Sequence, residues 1–284
     1  MEREKDKEQK NRLDSKNTRL RVLSGIVLAI LLFGTCILGG IAWYLFSALI
    51  AAGGIYEFYK LHDIHKTPEG IVGYVFTAGY WALVWFDLRD WMLSLFILTF
   101  LVEMGIYVFR FTKTTSEKAM ASVFGLIYPA VLASYLQFTR TEPDGLYLAL
   151  AVFAGSWGSD VFAWLFGSLF GRHRLNTPVS PKKTWEGVIG GILGSAALGL
   201  CYGLVISLFT DFKNPGLTFM ILAAAASLVS MIGDLTASAF KRHHGVKDYS
   251  NLIPGHGGIL DRFDSVLFVA PVIYYGSILL SKLL

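Results

Sequence analysis

Residues 238–264 read S-A-F-K-R-H-H-G-V-K-D-Y-S-N-L-I-P-G-H-G-G-I-L-D-R-F-D and join the end of one long apolar run to the start of another. Four permanent cations (Lys241, Arg242, Lys247, Arg262) share this stretch with three histidines and the carboxylates Asp248, Asp261 and Asp264. Gly245, Gly255, Gly257, Gly258 and Pro254 interrupt it. Cations neutralise phosphates, carboxylates hold divalent metals, and glycines let backbone N–H groups approach an anion. A connector that only had to be solvated would not concentrate such groups between two apolar runs.

Outward from that stretch the chain is strongly apolar. Hydrophobic residues make up 54% and charged residues 16% of the 284, where globular chains average about 25% charged. With mean hydropathy +0.52, the expected fold is all-α, a polytopic membrane helix bundle. Apolar runs long enough to span fall at Val22–Leu38, Ile41–Leu61, Ile71–Phe86, Trp91–Phe111, Ala119–Phe138, Leu146–Phe170, Val188–Phe209, Leu217–Phe240 and Phe263–Leu283, which predicts about nine transmembrane helices. The first two are divided only by Gly39-Gly40, so a tight hairpin and one bent helix both remain open. Pro129 and Pro271 are expected to kink their spans. The chain divides into a polar tail (1–21), N-terminal helices (22–138) and a C-terminal catalytic region (139–284). The tail is expected to be disordered or a surface helix, followed by an uncleaved first span.

Lysine and arginine orient the bundle. With the N-terminus in the cytoplasm and nine alternating spans, 21 of the 25 fall on the cytoplasmic side. Arg89, Arg140, Lys213 and Lys282 remain outside. This predicts a multi-pass protein of the cell's inner membrane whose polar stretches face the cytoplasm, where nucleotides are.

Ionisable residues at membrane depth face a cavity or a partner. Asp234 lies about 12 Å below the polar boundary at Arg242 by helical rise, on one helix face with Ser238 and Lys241. Asp261 and Asp264, three apart, share a face if a helix begins there. Asp234, Asp261 and Asp264 converging from two helices would make a magnesium site; the alternative is a structural pairing of Asp234 with Lys241 or Arg242. Asp160 sits at mid-membrane on a helix leading to a second polar segment, residues 171–187. There Lys182 and Lys183 can receive a triphosphate and Trp185 can stack a base or anchor the interface. Glu57 and Glu103 are expected to be structural. Adjacent His243 and His244 make a poor chelate, and Cys36 and Cys201 are expected to be inert packing. Gly187, Gly190, Gly191, Gly194 and Ser195 suit close helix packing. Neither a phosphate-binding Gly-rich loop, a Ser-His-Asp set nor zinc-ligand spacing occurs.

The opening stretch resembles the signature of the phosphatidate cytidylyltransferases, or CDP-diacylglycerol synthases, at Ser238, Lys241, Arg242, Lys247, Asp248, Pro254, His256, Gly257, Gly258, Asp261, Arg262 and Asp264. Residues 180–187, S-P-K-K-T-W-E-G, are similar to a second element of that family. The resemblance covers about the last 130 residues and leaves the N-terminal half without a motif. It implies synthesis of CDP-diacylglycerol from CTP and phosphatidate, with pyrophosphate released, one or two magnesium ions required and bilayer lipid as surroundings. Nucleic acid is not an expected partner; a homodimer is one open form of the assembly. The implied roles put metal on Asp234, Asp261 and Asp264. CTP falls to Lys182, Lys183, Thr184, Trp185, Glu186, Asp160, Gly257 and Gly258. Phosphate neutralisation falls to Lys241, Arg242, Lys247 and Arg262, and a phosphate hydrogen bond to His256. Ala237 stands where some members carry a polar or acidic residue, so no role is carried over to that side chain. Two rivals stay in view: a CTP-dependent polyprenol or phytol kinase, and a proton-coupled transporter.

Overall fold

The computed structural model describes residues 2–210 and 212–283, with side chains from residue 20 onward; the side chains of the polar tail, up to residue 19, lie outside the described residues. The helices are α1 (Glu2–Leu38), α2 (Gly40–Leu61), α3 (Pro68–Trp85), α4 (Arg89–Phe109), α5 (Ser116–Gly125), α6 (Leu132–Thr141), α7 (Gly145–Phe170), α8 (Trp185–Ile206), α9 (Pro215–His243) and α10 (Leu260–Leu283). A wide π-helical turn, Leu126–Val131, contains Pro129 and joins α5 to α6 as one rod. Proline has no N–H to donate, and the wider turn accommodates that lost bond. The protein is thus a polytopic helical membrane protein, with nine rods among the described residues.

Eight of the nine are long and apolar enough to cross a membrane. The ninth, α3, is diluted by Glu69, Gly70, Gly73, Thr77 and Gly79. It nevertheless runs between the same two ends as its neighbours. At its start Glu69 lies 3.8 Å from Arg110, at the end of α4. Just past its far end, Arg89 donates to the Tyr274 hydroxyl at 2.9 Å.

Contacts of this kind sort every loop to one of two ends. At the first end Ser24 of α1 donates to Pro254 O at 2.8 Å, and Glu57 of α2 receives the start of α10. Both helices of the first pair therefore reach the same loop, and α1 and α2 form an antiparallel hairpin. Gly39 (φ +64°) and Gly40 (φ +50°) make its turn, and Arg140 closes the end of α1 by donating to Cys36 O at 2.9 Å. At this second end α8 also meets the start of α9, Gly203 against Pro215. The 171–184 and 244–259 segments thus share the first end.

Caps mark the helix starts at that end. Thr67, Thr115 and Thr184 accept from Gly70 N, Lys118 N and Gly187 N, which satisfies donors that a helix start leaves open. The outer surface is apolar, with Phe109 92% and Leu208 85% exposed, as lipid contact requires. One core runs through both halves of the chain, from Leu32 and Trp43 to Val266 and Tyr274.

Helices α7, α8 and α9 pack most closely, and the glycines of α8 allow it. A Cβ at Gly190 would strike the Phe166 ring, and one at Gly194 the Phe162 ring. Gly190→Val is expected to lower stability by about 1–3 kcal/mol through overpacking, read as a fall in thermal unfolding temperature in detergent. Gly34→Ala, with nothing within 4 Å of the added carbon, serves as the neutral control.

Candidate active site

The stretch after α9 turns sharply at Gly245 (φ +68°), where Val246 N donates to Lys241 O at 2.9 Å. It then folds into a tight loop closed by Ile253 N donating to Gly257 O at 2.8 Å. Gly255 (φ +77°) and Gly257 (φ +85°) adopt left-handed backbone there, which disfavours side chains. Two buried carboxylates hold this loop to α10. Asp261 takes Lys241 Nζ at 2.7 Å on one oxygen, and Tyr249 N (2.8 Å) and Gly258 N (2.9 Å) on the other. Glu57 takes Ser250 Oγ (2.5 Å), Ile259 N (2.9 Å) and Leu260 N (2.8 Å). Burial, with Asp264 and Asp261 nearby, pushes the Tyr249 phenol up, so it stays a donor, reaching Ala237 O at 3.4 Å.

A cavity of about 410 Å³ opens between α7, α8, α9 and the 171–184 segment. Asp160, Trp164, Lys182, Lys183, Thr184 and Met231 are among its walls. Lys183 Nζ bonds Asp234 Oδ2 at 2.6 Å, so Asp234 pairs neither with Lys241 nor with Arg242. The segment carrying the lysines is pinned at its base. Leu175 N donates to Lys183 O at 2.8 Å and Trp185 N to His173 O at 2.9 Å. Glu186 accepts from His173 N at 3.1 Å and meets its Nδ1 at 2.6 Å. Gly171, Gly167 and Gly187 leave just enough room for Thr184.

The structure thus gathers Asp160, Lys182, Lys183 and Thr184 about one cavity, with Asp234 bonded to its Lys183. Asp264 lies 7% exposed on α10, its Oδ1 accepting from Ser265 N at 2.7 Å. It stands within electrostatic reach of Asp234 and of Asp160.

The remaining candidates have other partners or lie outside the cavity lining. Asp261 turns to the loop and to Lys241. Among the described residues, no three acidic, histidine or cysteine side chains are already assembled as a metal cluster. His256 Nδ1 lies 2.8 Å from Ser24 Oγ, so its ring faces α1 and not the cavity. Gly257 and Gly258 shape the loop before α10. Trp185 is 55% exposed and outside the cavity lining, whereas Trp164 is on the wall. Glu186 is engaged by His173. Arg242, Lys247 and Arg262 are exposed around the polar end, with Arg242 donating to Val246 O at 3.0 Å. Glu103 accepts from Ser122 Oγ at 2.9 Å, away from the cavity.

Sequence reasoning gave Glu57 a structural role but not its partners, and overlooked Trp164 and Ser24. An acid inside an apolar span was a signal for Glu57, but its partners lie about 200 positions away.

A model of the cytidylyltransferase family matches residues 19–279. Phosphatidate cytidylyltransferase of Staphylococcus saprophyticus is 33% identical over 261 residues, and that of Staphylococcus haemolyticus 32% over 260. That of Staphylococcus aureus is 31% identical over 258. Each comparison covers 90% of this chain and 97% of the relative.

Proposed function

This chain belongs to the cytidylyltransferase family and is a nucleotidyltransferase, and we propose that it makes CDP-diacylglycerol from CTP and phosphatidate. Membership in an enzyme family sets aside the transporter reading. The observation that carries the proposal is the cavity bearing Lys182 and Lys183, with Asp234 at the second lysine. A phosphate oxygen of phosphatidate attacks the α-phosphorus of CTP, and the bond from that phosphorus to pyrophosphate breaks. Both reactants are anionic, so the main obstacle is charge, and cations aimed at phosphate lower it. Lys182 and Lys183 hold the nucleotide's phosphates. Lys241 stays with Asp261, while Arg242, Lys247 and Arg262 meet anions arriving at the polar end. The acyl chains remain in the bilayer.

Magnesium suits the chemistry of Asp234 and Asp264, hard oxygens within electrostatic reach of each other, because magnesium is often held by one or two carboxylates plus substrate phosphates. Asp234 and Asp264 would hold one or two such ions, with Asp261 orienting the helix that carries Asp264. Bound there, the ion would neutralise charge on the transferring phosphoryl group. Phosphatidate is largely dianionic near neutral pH, with a second pKa of about 6, so it attacks without a strong base. No cysteine lies in the polar stretches, and His256 Nδ1 is bonded to Ser24 Oγ, which supports direct transfer without a covalent enzyme intermediate.

The purified protein, incubated with magnesium, phosphatidate and CTP labelled at the α- or the γ-phosphorus, should place only the α label in lipid. Transfer of the γ label would instead make it a CTP-dependent kinase. Direct transfer further requires that labelled pyrophosphate not exchange into CTP without phosphatidate; rapid exchange abolished by His256→Ala would show a covalent route.

The polar end faces the cytoplasm of the inner membrane in this reading, because it carries most of the lysine and arginine. In a background lacking Cys36 and Cys201, cysteines replacing the exposed Pro178 and Asp248 should be labelled only from the cytoplasmic side. Cysteines replacing Asp90 and Lys213 should be labelled only from outside. Labelling of positions 178 and 248 from opposite faces would separate the two polar segments and break the single-site arrangement.

A further inference from the structure

We propose that Glu57, supplied by the motif-free N-terminal half, is the positioning residue that sets the rotation of α10 and thereby the placement of Asp264. The inference rests on the reading of Asp264 as part of the transfer site. Glu57 is fully buried on α2. It accepts from the two consecutive amides Ile259 N and Leu260 N, one on each oxygen, and from Ser250 Oγ. Asp261 takes the preceding amide, Gly258 N. Three successive N–H groups at the start of α10 are therefore received by two fixed carboxylates.

An anion at a helix start is favoured by the helix dipole and by the open amides, which accounts for a buried acid whose partners here are two amides and a hydroxyl. Bidentate contact with two successive amides fixes phase as well as position. A slip of one residue would turn the helix by about 100° and carry Asp264 away from Asp234. Gly258 belongs to the same device, because a Cβ there would stand 2.5 Å from Glu57 Oε1. Ser250 ties the other flank of the loop to the same carboxylate. Glu57 touches neither the cavity nor, in this reading, the substrates.

The test compares wild type with Glu57→Gln, which keeps the volume but replaces one acceptor by a donor facing a backbone N–H. Misplacement of reacting groups by about 1 Å costs on the order of a hundredfold in rate. We expect kcat to fall by about that factor while KM for CTP changes less than about threefold, because Lys182, Lys183 and Thr184 lie on other elements. Amide exchange at residues 259–260 should rise selectively. Gly258→Ala, which pushes on the same carboxylate, should give the same split, and Ser250→Ala a weaker version, so the proposal stays testable if Glu57→Gln folds poorly. An unchanged kcat per folded molecule, or a rise in KM with kcat intact, would overturn it. The exchange measurement requires no turnover: if wild type makes no CDP-diacylglycerol, the functional reading fails, while unaltered exchange at 259–260 rejects the positioning role by itself.

Discussion

Asp264→Asn should lower the rate of cytidylyl transfer by roughly a thousandfold or more, the loss of several kcal/mol of transition-state stabilisation, in a protein that still inserts and folds. Asp264 is one turn into α10, 7% exposed, and held by its own neighbour Ser265 through Oδ1. Asparagine matches its shape and keeps an acceptor for those bonds, so little folding energy depends on the charge. What the substitution removes is a negative oxygen in reach of Asp234 and Asp160, where a divalent ion would meet phosphate. Rate at saturating magnesium, alongside an unfolding temperature, separates the two effects. Retention of more than about a tenth of the wild-type rate would show that Asp264 is no essential ligand. Asp261→Asn is expected to behave differently, losing stability as well as rate, because its charge is the partner of buried Lys241.

Lys241→Met should have the largest effect on stability, about 3–5 kcal/mol, the usual cost of breaking a buried ion pair from one side. The side chains of Lys241 and Asp261 are 11% and 1% exposed and meet at 2.7 Å, so solvent screens the pair little. Methionine fills a similar volume but leaves one Asp261 oxygen without its cation, while Tyr249 N and Gly258 N remain on the other. Those two amides place the expected loss toward the lower end of the range. A thermal or denaturant titration in detergent reads it directly. A loss below about 1 kcal/mol would mean that the pair behaves as an exposed one.

Composition and the length of apolar runs made the rods legible, since a lipid-facing helix needs about 20 apolar residues, and α3, read from the shorter run Ile71–Phe86, is the one rod below that measure. The cytidylyltransferase signature was equally legible, because its polar residues are contiguous in sequence. The glycines of α8 were read as packing, and they sit against Phe162 and Phe166. Asp160, Lys182, Lys183 and Thr184 were named from sequence and share one cavity.

Partner choice was not legible. Asp234 was weighed against Lys241 and Arg242, its neighbours along one helix, yet its cation comes from Lys183, 51 positions away. His256 was read from the resemblance as a phosphate hydrogen-bonding group, and nothing in the sequence announced that its Nδ1 meets Ser24, 232 positions away. Asp261 and Asp264, three apart, were read as one metal face. The amides of Tyr249 and Gly258 draw Asp261 into the loop, while Asp264 bonds its neighbour Ser265 and stays within electrostatic reach of Asp234. Glu57 had no motif around it at all. The sequence by itself determined the membrane bundle, the family and the polar segments, because hydropathy and short-range spacing are local properties. Which carboxylate anchors the loop and which does not was decided by the tertiary structure, since a buried charge goes to whatever donors the packed helices bring within about 3 Å.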